Sequence, residues 1–173
     1  MTDRFAHRLP LDQVRDGARL DLAADEVERA AVARRLDLPA IARFEAHVCL
    51  ERTGEMVSAT GRLVASLDQC CVVTGEPVAA HIDEPFALKF VPEPLVTRPD
   101  EEIELGPDDL DVVFHDGAAI DLGSALADTL ALSLDPYPRS ASAAAALKEA
   151  GVMTEEQASP FAVLASLKKS NES

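Results

Sequence analysis

Thiols and imidazoles stand where an extended chain could gather them: His47 with Cys49, then Cys70 with Cys71, then His81. Structural zinc takes four such ligands in a tetrahedron, usually from two paired motifs. The centre of this arrangement is Asp68-Gln-Cys-Cys-Val-Val-Thr-Gly-Glu-Pro-Val78, a polar knuckle between two alternating stretches. Cys71 is followed three residues later by Thr74, so the turn reads as a metal-ligand knuckle that lacks its second ligand. Adjacent Cys70 and Cys71 on an extended chain point to opposite faces and chelate poorly. His47 and Cys49 share a face, and no convincing second pair answers them. The reading is ordinary thiols, one of them buried, with no metal and no cofactor.

Catalytic constellations are not legible. His7, His47, His81 and His115 are scattered and read as surface or edge-strand residues. Ser124 follows Gly123, yet no Gly-x-Ser-x-Gly elbow is present. Asp108, Asp109 and Asp111 lack the spacing of a calcium loop and read as a solvated acidic run. No glycine-rich phosphate cradle occurs. The expectation is a protein with no catalytic residues, not an enzyme.

The knuckle must be held by the elements on either side. Val57, Ala59, Gly61, Leu63, Ala65 and Leu67 share a face at a period of two, as do Ile82, Glu84, Phe86, Leu88 and Phe90. Both stretches read as strands. In the turn between them Gly75 can take positive φ, and Pro77 removes one ladder donor. Upstream, Phe44, Ala46, Val48 and Leu50 alternate with Glu45, His47 and Cys49, and Thr53-Gly54-Glu55 turns the chain back. A three-stranded antiparallel meander results.

Short strands are expected at Phe5–Leu9, closed by Pro10, and at Leu20–Leu22. A helix should follow over residues 26–36, capped by Asp25, with acids first and bases last. Its expected stripe is Val27, Ala30, Ala31, Arg34 and Leu38. After an acidic, proline-broken loop over residues 92–109, Leu110–His115 reads as a strand, with a return at Ala118–Ile120. Asp121 caps the strongest helix, whose Leu122, Leu126, Leu130 and Leu134 should dock on the sheet. Residues 140–150 are Ala-rich and lightly helical. Ser159 and Pro160 open a last amphipathic stretch. The expected fold is α+β: an antiparallel sheet that could curl toward a barrel, a few helices, an acidic loop and a helical tail. Residues 1–140 form one domain, with the tail over 141–173.

Charge narrows the function. Of 173 residues, 47% are apolar and 4% aromatic, which gives an aliphatic core. The 16 basic and 31 acidic residues leave a net charge of −15. It is uneven: residues 1–98 carry −4, residues 99–150 carry −10 and the last stretch −1. Such a field opposes a broad phosphate-tracking surface and suits a basic protein partner. Met1-Thr-Asp-Arg-Phe5 lacks the apolar core of a secretory leader. No stretch approaches a membrane span. An odd cysteine number argues against a disulfide framework. The expectation is a cytoplasmic protein with reduced thiols and no membrane contact.

The knuckle with Glu76-Pro-Val78, the strand carrying Phe86 and Phe90, the acidic gap, Ala118-Ala-Ile-Asp-Leu-Gly123 and the helix ending Leu132-Ser-Leu-Asp-Pro136 together resemble the YceD family. These are the large ribosomal RNA subunit accumulation proteins. The resemblance covers roughly residues 40–140, and Pro160-Phe-Ala-Val-Leu164 is similar to the end of alphaproteobacterial members. The family pattern has a Cys-x-x-Cys in the knuckle and a second cysteine pair after the helix. Here Cys71 matches the first cysteine, Thr74 stands at the second, and Tyr137-Pro-Arg-Ser140 brings none. The resemblance implies a role in 23S ribosomal RNA accumulation and large-subunit assembly, without a known reaction.

The favoured mechanism is an acidic surface that engages a basic protein, such as a ribosomal protein or assembly factor. Its residues are Asp100, Glu101, Glu102, Asp108, Asp109 and Asp111. Gln69, Cys71, Thr74, Glu76 and Pro77 form a second contact surface. The alternative is direct RNA binding, with large-subunit rRNA precursor as partner. It would draw on Arg34, Arg35, Arg43, Arg52, Arg62 and Lys89 in the less acidic half, with the sheet presenting some of them on one face.

Overall fold

The computed structural model describes Phe5, residues 7–93 and residues 111–152. The chain divides into two compact units, residues 1–69 with 79–136, and residues 70–78 with 137–173. The acids at 100–109 and the stretch from Ser159 lie outside the described residues.

Alternating apolar residues build the first unit. Strands β1 (Arg8–Pro10), β2 (Ala18–Ala23), β3 (Ala40–Thr53), β4 (Met56–Cys70), β5 (Pro77–Pro92), β6 (Val112–His115) and β7 (Ala119–Asp121) follow in chain order. Helices α1 (Glu26–Arg35), α2 (Leu122–Leu132) and α3 (Ala143–Glu149) complete the regular structure, with one 3-10 turn at Leu11–Gln13. The main sheet has the order β2-β3-β4-β5-β6, and β1 pairs with β7 in a small second sheet. The fold is α+β. The sheet stays open and does not close as a barrel: β2 and β6, six and four residues long, are its unjoined edges.

The expected meander is present. β3 and β4 run antiparallel from Ala40↔Asp68 to Thr53↔Met56, closed by the two-residue turn Gly54-Glu55 with Gly54 at φ 66°. Six residues link β4 to its neighbour β5, which leaves room only for an antiparallel return. Phe44, Ala46, Val48, Leu50, Val57, Ala59, Leu63, Ala65, Leu67, Ile82, Phe86, Leu88 and Phe90 are buried in one cluster. A register shift between Ile41 and Arg43 brings Ile41 and Phe44, three apart, to the same inner face. Glu84 breaks the alternation of β5 and is exposed, since an unpaired carboxylate does not enter an aliphatic core.

The sheet departs from the expected pattern at β6. It lies parallel to β5, with Lys89↔Val112 through Pro92↔His115. Parallel neighbours need a crossover of about a dozen residues or more, and residues 93–111 supply it. The return after β6 pairs with β1, not with β6. His115 lies on the edge strand β6, one of its two expected settings, but its side chain is buried. Its Nε2–H donates to the Glu55 carbonyl at 2.9 Å, and its Nδ1 accepts from Gly117 N–H at 3.0 Å. It ties the end of β6 to the β3–β4 turn.

Both main helices carry their expected caps. Asp25 accepts from Glu28 N–H at 2.8 Å and Glu28 accepts from Asp25 N–H at 2.9 Å, a reciprocal box. Asp121 accepts from Ser124 N–H at 3.0 Å. In α2, Leu122, Leu126 and Leu130 are fully buried in the cluster, while the helix stops at Leu132, before the expected Leu134. In α1 the buried residues are Ala31, Val32 and Ala33, whereas Val27, Ala30 and Arg34 face outward. Alanine on several sides leaves the docking face of this helix weakly specified by pattern alone.

Two glycines mark close approaches. A Cβ at Gly123 would overlap the Phe5 carbonyl, where the N-terminal segment crosses the first turn of α2. A Cβ at Gly61 would overlap the His47 carbonyl and sit 3.1 Å from the Phe86 ring. Strand propensity alone favours alanine over glycine by about 0.5–1 kcal/mol. Overpacking costs about 1–3 kcal/mol and wins here. Gly61→Ala therefore lowers stability, read as an earlier urea midpoint with unchanged slope.

Candidate functional site

The knuckle and the segment after α2 form one hydrogen-bonded cluster in the second unit. Cys71 N–H donates to the Glu76 carbonyl at 2.8 Å and Gly75 N–H to the Cys71 carbonyl at 2.9 Å, with Gly75 at φ 73°. These bonds close the turn. Val72 N–H then donates to the Pro138 carbonyl at 2.9 Å, which brings residues 137–142 alongside.

The Cys71 side chain is 3% exposed. Its Sγ accepts from Ser140 N–H at 3.2 Å and from Thr74 N–H at 3.4 Å. Burial opposes ionisation, but the hydrogen bonds from Ser140 and Thr74 together outweigh it and bring the thiol from 9.0 to about 6. Around it runs a hydroxyl network. Thr74 Oγ1 lies 3.1 Å from Ser140 Oγ, Ser140 Oγ lies 2.9 Å from Ser142 Oγ, and the Glu76 carboxylate accepts from Ser142 and, at 3.0 Å, from Thr74. The bonds from Ser142, Ser140 and Thr74 hold the Glu76 carboxyl below its usual range.

This donor set does not fit a zinc ion. Around Cys71 stand Thr74 and Ser140, hydroxyls where a structural site uses thiolate or imidazole. Among the described residues no group of three or more His, Cys, Asp or Glu could hold a metal. The positions instead close the turn by hydrogen bonding.

The expected site residues fall in different places. Gln69 is buried, its Nε2–H donating to the Asp135 carbonyl at 2.9 Å. Gln69 and Cys71 thus shape the chain from within. Glu76 and Pro77 are exposed and Thr74 is half-buried, so these three face outward. Asp111 is exposed at the start of β6; Asp100, Glu101, Glu102, Asp108 and Asp109 lie outside the described residues. Sequence reasoning missed Ser140 and Ser142. Their signal was that residues 137–140 follow the helix, where the resemblance implies a second cysteine pair. It also missed the carboxylates of Glu93, Asp116, Asp121 and Asp128, which line one groove in the first unit.

The expected basic face is largely self-neutralised. Arg43 pairs with Glu45 at 2.7 Å, Arg62 with Asp83, and Arg35 with Asp128. Arg52 donates through Nε to the Gly54 carbonyl at 2.9 Å and also reaches the Leu11 carbonyl. On the same outer face His47 Nδ1 meets Asp21 at 2.6 Å. Among the described residues, no helix is long and apolar enough to cross a membrane.

The Cys71 geometry has a pH signature. A thiol whose folded pKa is depressed adds stability that is complete above its unfolded value and is lost as pH falls through the folded value. Here the window runs from pH 9.0 down to about 6. The urea midpoint of the native chain rises across that window, and Cys71→Ala flattens the rise. Equal slopes in the two proteins would rule the thiolate out.

A family model described as Large ribosomal RNA subunit accumulation protein YceD matches residues 59–168. No curated protein and no solved structure matches the chain. The matched region begins within β4, later than the expected residue 40, and runs through the knuckle, β5, β6, α2 and the Ser140 segment into the tail. It takes in well over half of the sequence, and the chain belongs to the YceD family of large ribosomal RNA subunit accumulation proteins.

Proposed function

We propose that this chain is a non-enzymatic factor supporting 23S rRNA accumulation and large ribosomal subunit assembly, and that it acts by holding a basic protein partner on its acidic surface. The observation that carries this reading is the charge concentrated in residues 99–150, a net −10 in a chain of −15, in a member of a family named for large ribosomal RNA accumulation. Ribosomal components that coat RNA are themselves strongly cationic. An acidic surface steers such partners and holds them off RNA until assembly.

The residues assigned to the partner are Asp100, Glu101, Glu102, Asp108, Asp109 and Asp111. The outward-facing part of the knuckle, Thr74, Glu76 and Pro77, serves as a second contact surface. Ion pairing of Arg35, Arg43 and Arg62 within the chain favours a protein partner over direct RNA contact, because phosphate binding needs uncommitted cations.

Replacing Asp100, Glu101, Glu102, Asp108, Asp109 and Asp111 by their amides tests the reading. Capture of basic ribosomal proteins from purified mixtures should fall several-fold and lose most of its salt dependence. Co-sedimentation with large-subunit precursors should fall in parallel. Unchanged capture removes the mechanism. A gel shift with 23S fragments that is present at low salt and steeply salt-dependent would favour the RNA reading instead.

A further inference from the structure

We propose that the outer edge of β6 is a docking site where an extended peptide segment bearing Lys or Arg, from a protein partner, adds to the sheet as a sixth strand. The inference takes from the proposed function only that the partner is basic; it places that partner at a site formed by other residues.

The backbone points to it first. Lys89 N–H donates to the Asp111 carbonyl and Glu93 N–H to the His115 carbonyl, both at 3.0 Å. Backbone groups alternate sides along a strand, so Asp111, Val113 and His115 face β5. Val112 and Phe114 therefore turn their N–H and C=O groups the other way. The sheet ends at β6, and among the described residues no strand takes up these groups. Soluble proteins usually blunt such an edge with lysine, proline or a bulge. At four residues β6 is a short edge, but Val112-Val-Phe-His115 carries no lysine, proline or bulge.

The surroundings fix the chemistry of the occupant. Beside the edge runs a groove of about 440 Å³, where Glu93, Asp116, Asp121 and Asp128 meet a single arginine, Arg8. Arg8 bridges Asp116 at 3.0 Å and Arg35 bridges Asp128, which leaves the carboxylates in excess. Phe114 is 57% exposed at the rim, an aromatic face over which a cation can stack. A strand laid along β6 would bond through its main chain and place alternate cationic side chains against these groups. A second copy of this chain fits poorly, because two molecules of charge −15 repel. RNA meets the same field.

The test uses the full chain and a short synthetic peptide of alternating lysine and valine. Amide exchange followed by NMR should slow at Val112 and Phe114 when the peptide is added. Phe114→Pro removes an outward N–H together with the exposed ring and spares the bonds to β5. It should weaken the peptide by about tenfold or more, one lost hydrogen bond plus the lost contact between cation and ring. Glu93→Lys should weaken it several-fold and reduce its salt dependence. If Phe114→Pro fails to fold, exchange in the native chain and the Glu93→Lys affinity decide.

Unprotected edge amides overturn the site, as does an unchanged Glu93→Lys affinity. Concentration-dependent dimers that protect these amides overturn it in favour of a second copy. Protection by single-stranded RNA, but not by the peptide, overturns it in favour of RNA. If basic proteins bind and respond to the 100–111 acids while the edge stays unprotected, the proposed function survives and the edge site falls. If no basic protein or peptide binds, both fall.

Discussion

The structure of the first unit depends on one buried surface. Apart from the shift between Ile41 and Arg43 and the exposed Glu84, β3, β4 and β5 put alternate residues on the same side, and α2 adds Leu122, Leu126 and Leu130 to that cluster. Phe44, Leu50, Leu63, Phe90, Leu126 and Leu130 are at most 1% exposed. A fully buried aliphatic or phenyl side chain contributes roughly 1.5–3 kcal/mol by transfer from water. An exposed ion pair contributes about 0–1 kcal/mol. The inner face therefore sets the register of the strands. Sliding any of them by one residue would expose its whole apolar set.

That constraint frees the outer face from structural work. Its charges pair locally, as in Arg43 with Glu45 and Arg62 with Asp83. Each pair is worth little energetically, yet together they cancel the cations that composition alone would count toward RNA. The excess negative charge is displaced elsewhere, to the residues around β6 and α2 and to the sequence before β6. Packing and charge thus divide the molecule: one side of the sheet holds it together, while its last edge carries the field.

Much of this was legible in the residues. Strict alternation gave β3 and β4, and Asp25 and Asp121 were readable as caps because a short carboxylate before an apolar run satisfies free helix N–H groups. Three features were not legible, for physical reasons. The direction of β6 depends on a long crossover, whose course no local pattern encodes. The docking face of α1 is ambiguous because Ala30, Ala31 and Ala33 are nearly equivalent in size and hydropathy. The burial of His115 depends on carbonyl and amide partners from Glu55 and Gly117. Of the candidate site, Glu76, Thr74 and Cys71 were visible as an incomplete ligand turn. Their joining to Ser140 and Ser142, 66 residues or more away, was not.

The knuckle shows how a ligand turn can keep its geometry with other chemistry. A metal would organise this turn by drawing four anionic or neutral donors to one centre. Here Cys71 alone remains, and the backbone N–H groups of Thr74 and Ser140 converge on its sulfur. An N–H pair that meets a thiolate does part of what a cation does: it places positive charge against sulfur and draws two distant segments together. The hydroxyls of Thr74, Ser140 and Ser142 extend the same logic to Glu76, so hydrogen-bond donors hold both the Cys71 sulfur and the Glu76 carboxylate. The cohesion of the cluster rests on those N–H and O–H donors, where a metal site would depend on metal supply.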